Sequence, residues 1–282
     1  MITDSQTDKV YFSKWLKTDD RFAPSCRLIA SILDKHGIKY DFLEETSDIW
    51  ARDYMPVQKD VNSFVQFRFE PSYLKDEPVY QSDPKEVCRA NGIKPVFSEI
   101  NLDGGNIVKQ RDKVIISKRI FSENPGYDKK KLVKDIENLL EARVILVPDI
   151  SKAYDLTGHA DGYLRFVDDN TILVNELETE LKYWKNGFLK MIKETGLKYI
   201  EIPWLTDYDE DFPKSALGIY INYLEIGNLI IMPVFEVEGN KDAEVVALFK
   251  SIFHHKIIET VNINPIGREG GLMNCISWNI KS

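Results

Sequence analysis

The chain repeats one order of structure, a helix, a strand, a short polar motif and a second strand, about five times along its length. Successive repeats lie about 50 to 60 residues apart, a period typical of architectures in which each unit needs its neighbours to bury its core. The polar motifs fall at a similar point in each unit and centre on Asp53, Asp103, Asp161, Asn222 and Cys275. Rotational repetition of the units would bring all five motifs to one central axis.

Apolar periodicity and boundary residues predict helices at 24–35, 84–90, 129–142, 178–195 and 242–253. A strand at the N-terminus, 9–15, is left outside the five units. It could pair into the last unit and close the ring, which would remove a free sheet edge. The alternative is a generic α/β sandwich with irregular strands. We expect an α/β fold, and 282 residues are enough for one large domain or two small ones.

The composition narrows the classes of function. A net charge of −8 argues against nucleic acid as a partner, because a phosphate-binding surface needs concentrated Lys and Arg. No apolar run approaches the roughly 18 to 20 residues that span a bilayer, so we expect no membrane partner. The N-terminus lacks the features of a secretory signal. Three cysteines without a Cys-x-x-Cys pair fit neither a disulfide framework nor a zinc site, which indicates a cytoplasmic protein with reduced thiols.

His159 and Asp161 are a candidate pair for proton chemistry. On a strand, residues i and i+2 point to the same face, about 6 to 7 Å apart. Gly158 and Gly162 bracket the pair and leave room for a ligand. A histidine can move protons near neutral pH, and a carboxylate beside it could tune it or bind a cation. Alone, such a pair is more often a structural hydrogen-bonding unit.

Cys275 is a candidate nucleophile. Gly270 and Gly271 precede it, and glycines permit a bend that lets a ligand approach the main chain. Alone, a single cysteine is more often a small buried hydrophobe. Asp53 lies near Trp50, which could stack on a planar group. Taken singly, none of these signals is specific.

Together these residue types define a chemistry. A thiol, an imidazole and two carboxylates without a metal-ligand cluster suit attack on a cationic, planar carbon centre. A guanidinium is such a centre, because its N–H groups fit carboxylates in bidentate fashion and its charge needs neutralising in a dry pocket. The bound cation would also favour the thiolate by Coulomb attraction.

Five segments in order add a more specific signal. They are Trp50-Ala51-Arg52-Asp53-Tyr54-Met55-Pro56, Asp103-Gly104-Gly105-Asn106, Asp155-x-Thr157-Gly158-His159-x-Asp161, Tyr220-x-Asn222-Tyr223 and Gly270-Gly271-x-x-x-Cys275. In this order they resemble the motifs of the agmatine deiminase and bacterial peptidylarginine deiminase family. The resemblance implies a single pentein catalytic domain over 1–282. The pentein is a five-bladed α/β propeller of pseudo-repeats around a central active site, in agreement with the repeat count.

The resemblance also implies roles for individual residues. Cys275 would attack the guanidinium carbon and hold a covalent S-amidino intermediate, while His159 would protonate departing ammonia and then activate water. Asp53 and Asp161 would hold the guanidinium nitrogens, with no metal or cofactor. The expected substrate-binding residues are Trp50, Arg52, Asp103, Asn106 and Asn222.

Some positions depart from the family pattern. Asp103 stands where the family usually has glutamate, and Asn274 stands where its agmatine deiminases have histidine before the nucleophile. The Met-Pro-Ala-Glu type segment that helps agmatine deiminases recognise the tail of the substrate is not found. The residues of the reaction centre match the family pattern, whereas the residues expected to recognise the tail of the substrate differ from it.

The leading hypothesis is a hydrolase that converts agmatine, or a related small cationic guanidino compound, to the ureido product and ammonia. Agmatine would place the enzyme in polyamine biosynthesis, towards putrescine. The alternatives are a peptidylarginine or arginine deiminase, an amidinotransferase that uses the same nucleophile and clamp, and a non-catalytic binder of guanidino ligands. A homo-oligomer is compatible with each of these.

Overall fold

The computed structural model of the chain describes residues 1–205 and 214–282. Over these residues, fifteen strands form five three-stranded sheets. The strands are β1 (Lys9–Ser13), β2 (Lys39–Leu43), β3 (Val57–Asp60), β4 (Ser63–Arg68), β5 (Val96–Asn101), β6 (Val108–Gln110), β7 (Lys113–Ser117), β8 (Arg143–Val147), β9 (Leu164–Phe166), β10 (Thr171–Asn175), β11 (Lys198–Ile202), β12 (Leu224–Ile226), β13 (Leu229–Val234), β14 (Ile257–Asn262) and β15 (Ser277–Ile280). The α-helices are α1 (Trp15–Thr18), α2 (Ala23–Lys35), α3 (Ala51–Tyr54), α4 (Pro84–Ala90), α5 (Arg119–Glu123), α6 (Lys129–Leu140), α7 (Lys182–Thr195), α8 (Asp242–Ile252) and α9 (Asn264–Gly267).

All five sheets share one topology. In each, a middle strand pairs antiparallel with a first strand and parallel with a third, as β7 does with β6 and β8. The parallel pair needs a crossover, which contains a helix in every unit. The equivalent middle strands are β1, β4, β7, β10 and β13. We call β15, β3, β6, β9 and β12 the first strands of their sheets. The five-unit α/β fold expected from the sequence is confirmed.

The two ends of the chain meet in one sheet. β1 pairs antiparallel with β15, with Tyr11 opposite Trp278, and parallel with β2. The predicted closure of the ring by the N-terminal strand is therefore confirmed. The strand ends at Ser13, two residues before its predicted end, because the Ser13 hydroxyl accepts the Trp15 N–H at 3.1 Å and α1 begins at Trp15.

The predicted helices are present; α2 and α8 each differ by one residue at one end, and α6 and α7 differ by more. α6 stops at Leu140 because Glu141 adopts a left-handed conformation, φ 52°, and its N–H caps the carbonyl of Glu137. α7 begins at Lys182, later than the predicted residue 178, because the preceding residues form a turn in which Thr179 N–H donates to the carbonyl of Glu176. α4 has its predicted bounds, 84–90.

The core lies between the sheets and their helices. All six residues of β13 are buried, as expected for a strand covered on both faces. On α6 the buried residues Leu132, Ile136 and Leu140 recur every four positions and form one apolar stripe. Of the helices in the described residues, none is both long and apolar enough to cross a membrane.

Candidate active site

Each predicted motif lies just before the first strand of its sheet. Asp53 precedes β3, Asp103 precedes β6, Asp161 precedes β9, Asn222 precedes β12 and Cys275 precedes β15. The five sheets therefore present their motifs at equivalent points. Contacts between these segments bring their side chains together, as the following distances show.

Asn222 holds the segment that carries Cys275. Its side-chain oxygen accepts hydrogen bonds from the backbone N–H of Asn274 at 3.1 Å and of Cys275 at 3.3 Å. The thiol of Cys275 lies 3.3 Å from the same oxygen. One buried amide thus fixes both the backbone and the sulfur, while Cys275 itself is only half-buried.

Asp161 lies beside the candidate nucleophile. Its Oδ2 is 4.0 Å from Sγ of Cys275 and accepts a hydrogen bond from Nδ2 of Asn274 at 2.6 Å. The sequence reasoning placed His159 and Asp161 on a strand, and this was wrong. His159 precedes a 3₁₀ turn, Ala160–Gly162, because the chain tightens before β9.

His159 lies between two carboxylates. Its Nε2 is 2.8 Å from Oδ2 of Asp103, and its Nδ1 is 3.6 Å from Oδ1 of Asp53. Asp53 also accepts the backbone N–H of Gly105 at 3.1 Å. A Cβ at residue 105 would lie 2.5 Å from Nδ1 of His159 and 2.6 Å from Asp53, so the close approach requires glycine.

The ionisable groups perturb one another strongly. Burial alone would lower the pKa of His159, but Asp53 and the hydrogen-bonded Asp103 outweigh it and raise the pKa to about 10. Burial raises the pKa of Asp53 to about 7, against the attraction of His159. Burial also raises the pKa of the Cys275 thiol well above its usual range, and Asp161 and Asp53 add to the shift. The site therefore combines a thiol, one imidazolium and several carboxyl groups. The single imidazolium does not neutralise the negative charge that these carboxyl groups would carry when ionised.

Trp50 forms a wall next to the nucleophile. A Cβ at Gly271 would lie 2.5 Å from Cζ3 of Trp50 and 3.0 Å from Cβ of Cys275. The absence of a side chain at Gly271 therefore lets the indole come close to the cysteine. The ring is half-buried, so part of its surface is exposed next to the site.

Arg52 and Asn106 are brought to the same region but bind other parts of the chain. The guanidinium of Arg52 donates to the carbonyl of Asn274 at 3.3 Å and to Oδ1 of Asn279 at 2.7 Å. The side-chain oxygen of Asn106 accepts the backbone N–H of Ser117 at 2.8 Å. Both side chains are buried; Arg52 links its motif to the segment around Cys275, whereas the bond of Asn106 stays within the unit of one sheet.

Two residues at the site were missed by the sequence reasoning. The hydroxyl of Tyr73 donates to Oδ2 of Asp103 at 3.0 Å, and its ring lies edge-on to the imidazole of His159 with centroids 6.0 Å apart. Arg119 is buried and donates to Asp149 and to three carbonyls of the loop that leads to His159. Neither residue lies in a motif, so the sequence offered no signal for them.

Residues 23–280 match the family described as Porphyromonas-type peptidyl-arginine deiminase. The chain belongs to this family. A comparison with curated proteins gives no match.

Several solved structures share the fold. A C. jejuni agmatine deiminase has a TM-score of 0.79 at 17% identity, covering 99% of this chain and 94% of its own. An Enterococcus faecalis agmatine deiminase has a TM-score of 0.73 at 14% identity, covering 98% and 93%. The N-terminal domain of an arginine dihydrolase from the ornithine–ammonia cycle in cyanobacteria has a TM-score of 0.60 at 12% identity, covering 97% and 98%. These similarities establish the pentein fold.

Proposed function

We propose that the protein is a guanidino-group deiminase, which hydrolyses agmatine or a related guanidino compound to the ureido product and ammonia. The observation that supports this best is the position of Cys275 Sγ, 4.0 Å from Asp161, in a site where His159 contacts two further carboxylates. A thiol nucleophile, an acid and an excess of carboxylates are what a planar cation requires for substitution at carbon.

Asp53 and Asp161 bind the guanidinium. A carboxylate accepts two parallel N–H donors of a guanidinium, and the bond is strong because both partners are charged. The raised pKa of Asp53, about 7, means that a bound cation draws this carboxyl into its ionised form. The same cation lowers the pKa of the Cys275 thiol, whose proton is then lost to solvent.

The first half of the reaction forms the covalent intermediate. The thiolate of Cys275 forms a C–S bond to the guanidinium carbon and gives a neutral tetrahedral species. His159, which is an imidazolium at neutral pH, gives its proton to one amino group. The C–N bond then breaks, ammonia leaves, and an S-amidino group with one positive charge remains on the sulfur.

The second half uses the same histidine as a base. His159 is now neutral and takes a proton from water, whose oxygen bonds to the amidino carbon. The C–S bond breaks with its electron pair on sulfur, and the hydroxyl proton passes to Sγ. The ureido product leaves and the thiol is restored. Over both halves, one water is consumed and one ammonium is released.

The other predicted residues have supporting roles in this proposal. Trp50 packs along the planar cation, and Asp103 orients His159. Asn222 holds the nucleophile segment. Arg52 and Asn106 act through hydrogen bonds within the chain, which favours positioning roles for them over direct contact with substrate.

Agmatine is the default substrate, which would place the reaction in polyamine synthesis, towards putrescine. Among the proteins that share the fold is a C. jejuni agmatine deiminase with a C315S substitution and substrate bound, at 17% identity. The family match favours peptidyl-arginine as the second candidate. Both candidates present the same guanidinium to Cys275 and differ only in what lies beyond it.

The test is ammonia release from agmatine, free arginine and a blocked arginine peptide, combined with mass spectrometry of the intact protein. We expect ammonia from at least one compound and, after a rapid acid quench, an amidino adduct on Cys275. Cys275→Ala is expected to lose turnover by at least about a thousandfold and to form no adduct. Cys88→Ala, which changes a buried thiol on α4, is the matched control and should keep both.

Three outcomes would count against the proposal. If Cys275→Ala released ammonia at the parent rate, Cys275 would not be the nucleophile. If turnover required an added amine acceptor, the reaction would be amidino transfer. If all three compounds bound without ammonia release or adduct, the protein would be a guanidino-ligand binder.

A further inference from the structure

One oxygen of Asp103 serves two donors. Oδ2 accepts the hydrogen bond from Nε2 of His159 at 2.8 Å and the hydrogen bond from the Tyr73 hydroxyl at 3.0 Å. A carboxylate oxygen that already accepts a hydrogen bond has less negative charge to offer a second donor. Tyr73 and His159 therefore compete for the same atom.

Tyr73 is held firmly in this position. It lies on a 3₁₀ turn, Ser72–Leu74, in the segment between β4 and α4. Ser72 donates its N–H and its hydroxyl to the carboxylate of Glu123, at 2.9 and 2.6 Å, and Leu74 is buried in the core. Burial raises the pKa of Tyr73 well above its usual range and the charge of Asp103 adds to this, so the hydroxyl stays protonated and remains a donor.

Among the described residues, the charged groups that act most strongly on His159 are three carboxylates. They are Asp53 on α3, Asp103 before β6 and Asp161 on the turn before β9. Three carboxylates favour the imidazolium, whereas the second half-reaction needs a neutral imidazole to accept a proton from water. The Tyr73 hydroxyl opposes this bias at Asp103, as the backbone N–H of Gly105 does at Asp53 and the side-chain amide of Asn274 does at Asp161.

We propose that Tyr73 is a positioning residue that shares Asp103 with His159 and weakens the hold of that carboxylate on the imidazole. The proposal rests on the proposed function. In this proposal Tyr73 balances the two proton transfers. With the hydroxyl in place, His159 gives its proton more readily to the amino group that leaves as ammonia, and it then remains neutral for long enough to take a proton from water.

The direct test is the NMR titration of His159 in the parent protein and in Tyr73→Phe, which keeps the ring and removes the hydroxyl. The chain has only four histidines, so each signal can be assigned by substitution. We expect the midpoint of His159 to rise by about half to one pH unit in the variant, since the freed oxygen binds the imidazolium more strongly. An unchanged or lowered midpoint would overturn the proposal.

A kinetic test separates this role from simple structural support. We expect Tyr73→Phe to lower kcat at pH 7 by about three- to tenfold and to move the acid limb of the kcat profile upwards by the same interval as the titration. The amidino adduct should accumulate during turnover, because hydrolysis slows more than adduct formation. Equal slowing of both half-reactions without a shift of the limb would contradict the proposal.

The matched control is Tyr127→Phe. Its hydroxyl also donates to an aspartate, Asp135 on α6, and neither residue belongs to the candidate site. We expect no shift in either titration or kinetics. If the parent protein released no ammonia from any guanidino compound, the proposed function would fail, and the titration of His159 would still decide the role of Tyr73.

Discussion

Two groups of buried charges lie near the first strands of the sheets, and they are built differently. The motif cluster consists of Asp53, Asp103, Asp161, His159 and Cys275. The strand cluster consists of Asp4, Lys109, Arg165, Glu225 and Lys256. Three members of the strand cluster lie in the middle of first strands, on β6, β9 and β12. The two clusters meet at one cavity, lined by residues of both, including Asp161 and Asp4.

In the strand cluster, each acid has a fixed cation. Asp4 lies 2.9 Å from Nη2 of Arg165 and 3.3 Å from Nζ of Lys109, and Glu225 lies 2.7 Å from Nζ of Lys256. Burial would raise the pKa of Asp4, but Lys109 and Arg165 outweigh it and hold the pKa well below its usual range. At Glu225, Lys256 offsets only part of the effect of burial, and the pKa of this carboxyl stays raised.

In the motif cluster, three carboxylates share one histidine. Asp53, with its pKa raised to about 7, shows the opposite shift to Asp4 although both are surrounded by protein. Asp161 accepts its hydrogen bond from a neutral amide, that of Asn274. This difference supports the proposal that the motif cluster binds a cation from outside, because its buried acids lack a close cation of their own apart from His159.

The sharpest way to break this comparison is to neutralise Asp161. We expect Asp161→Asn to lower kcat/KM for the guanidino substrate by about 100- to 1000-fold, because a charged partner of the substrate is lost next to Cys275. The free energy of unfolding should change by less than about 1 kcal/mol, since Asp161 bonds to the neutral amide of Asn274 and no cation of the described residues lies within ion-pair distance of its carboxylate. Steady-state kinetics and urea unfolding measure the two effects. A large loss of stability with unchanged kinetics would place Asp161 in the structural group.

The reciprocal substitution, Asp4→Asn, should show the opposite pattern. It leaves Arg165 and Lys109 buried without a carboxylate, which is expected to cost about 2 to 4 kcal/mol of unfolding free energy. Under conditions where the variant is folded, kcat/KM should stay within about threefold of the parent value. If Asp4→Asn kept its stability and lost activity, the strand cluster would be part of the substrate site.

The two clusters also differ in how far the sequence predicts them. The members of the motif cluster stand in four of the five ordered motifs, at similar points of repeated units, so the topology that follows from the repeats brings them together. The local geometry was less accessible. The sequence suggested that His159 and Asp161 share one face of a strand, whereas the two residues lie at a 3₁₀ turn. A segment of three residues is too short for its sequence to distinguish a turn from a strand.

The strand cluster left no such pattern. Lys109 lies between Val108 and Gln110 on a three-residue strand, which in sequence resembles the exposed face of an ordinary hairpin. Its partner Asp4 comes from the N-terminal 3₁₀ turn, Asp4–Gln6, more than 100 residues away. Ion pairs between residues so far apart in sequence depend on how the units pack together. Short-range sequence periodicity does not contain that information.

The charge of His159 gives a pH-dependent test of the motif cluster. Its folded pKa, about 10, exceeds its ordinary value of 6.5, so its contribution to stability is complete below about pH 6.5 and is lost as the pH rises through about 10. We expect His159→Gln to be less stable than the parent by about 1 to 3 kcal/mol at pH 6, with the difference shrinking towards pH 10. Urea unfolding at pH 6, 8 and 10 measures this. As a control, His254→Gln changes an exposed position and should not reproduce this trend. If the loss of unfolding free energy in His159→Gln grew with pH, His159 would be buried in its uncharged form.

The smallest expected effect belongs to Tyr223, which lies where the two clusters adjoin. Its ring stacks on the guanidinium of Arg165 at 4.6 Å, and its buried hydroxyl has no hydrogen-bond partner among the described residues. Tyr223→Phe keeps the stacked ring and removes an unsatisfied polar group, so we expect stability to be unchanged or to rise by less than about 1 kcal/mol. Activity should be unchanged, in contrast to Tyr73→Phe, whose hydroxyl engages a carboxylate of the motif cluster. If Tyr223→Phe lost more than about 2 kcal/mol of unfolding free energy, the Tyr223 hydroxyl would have a hydrogen-bond partner. Tyr223 would then belong to the polar groups that join the two clusters.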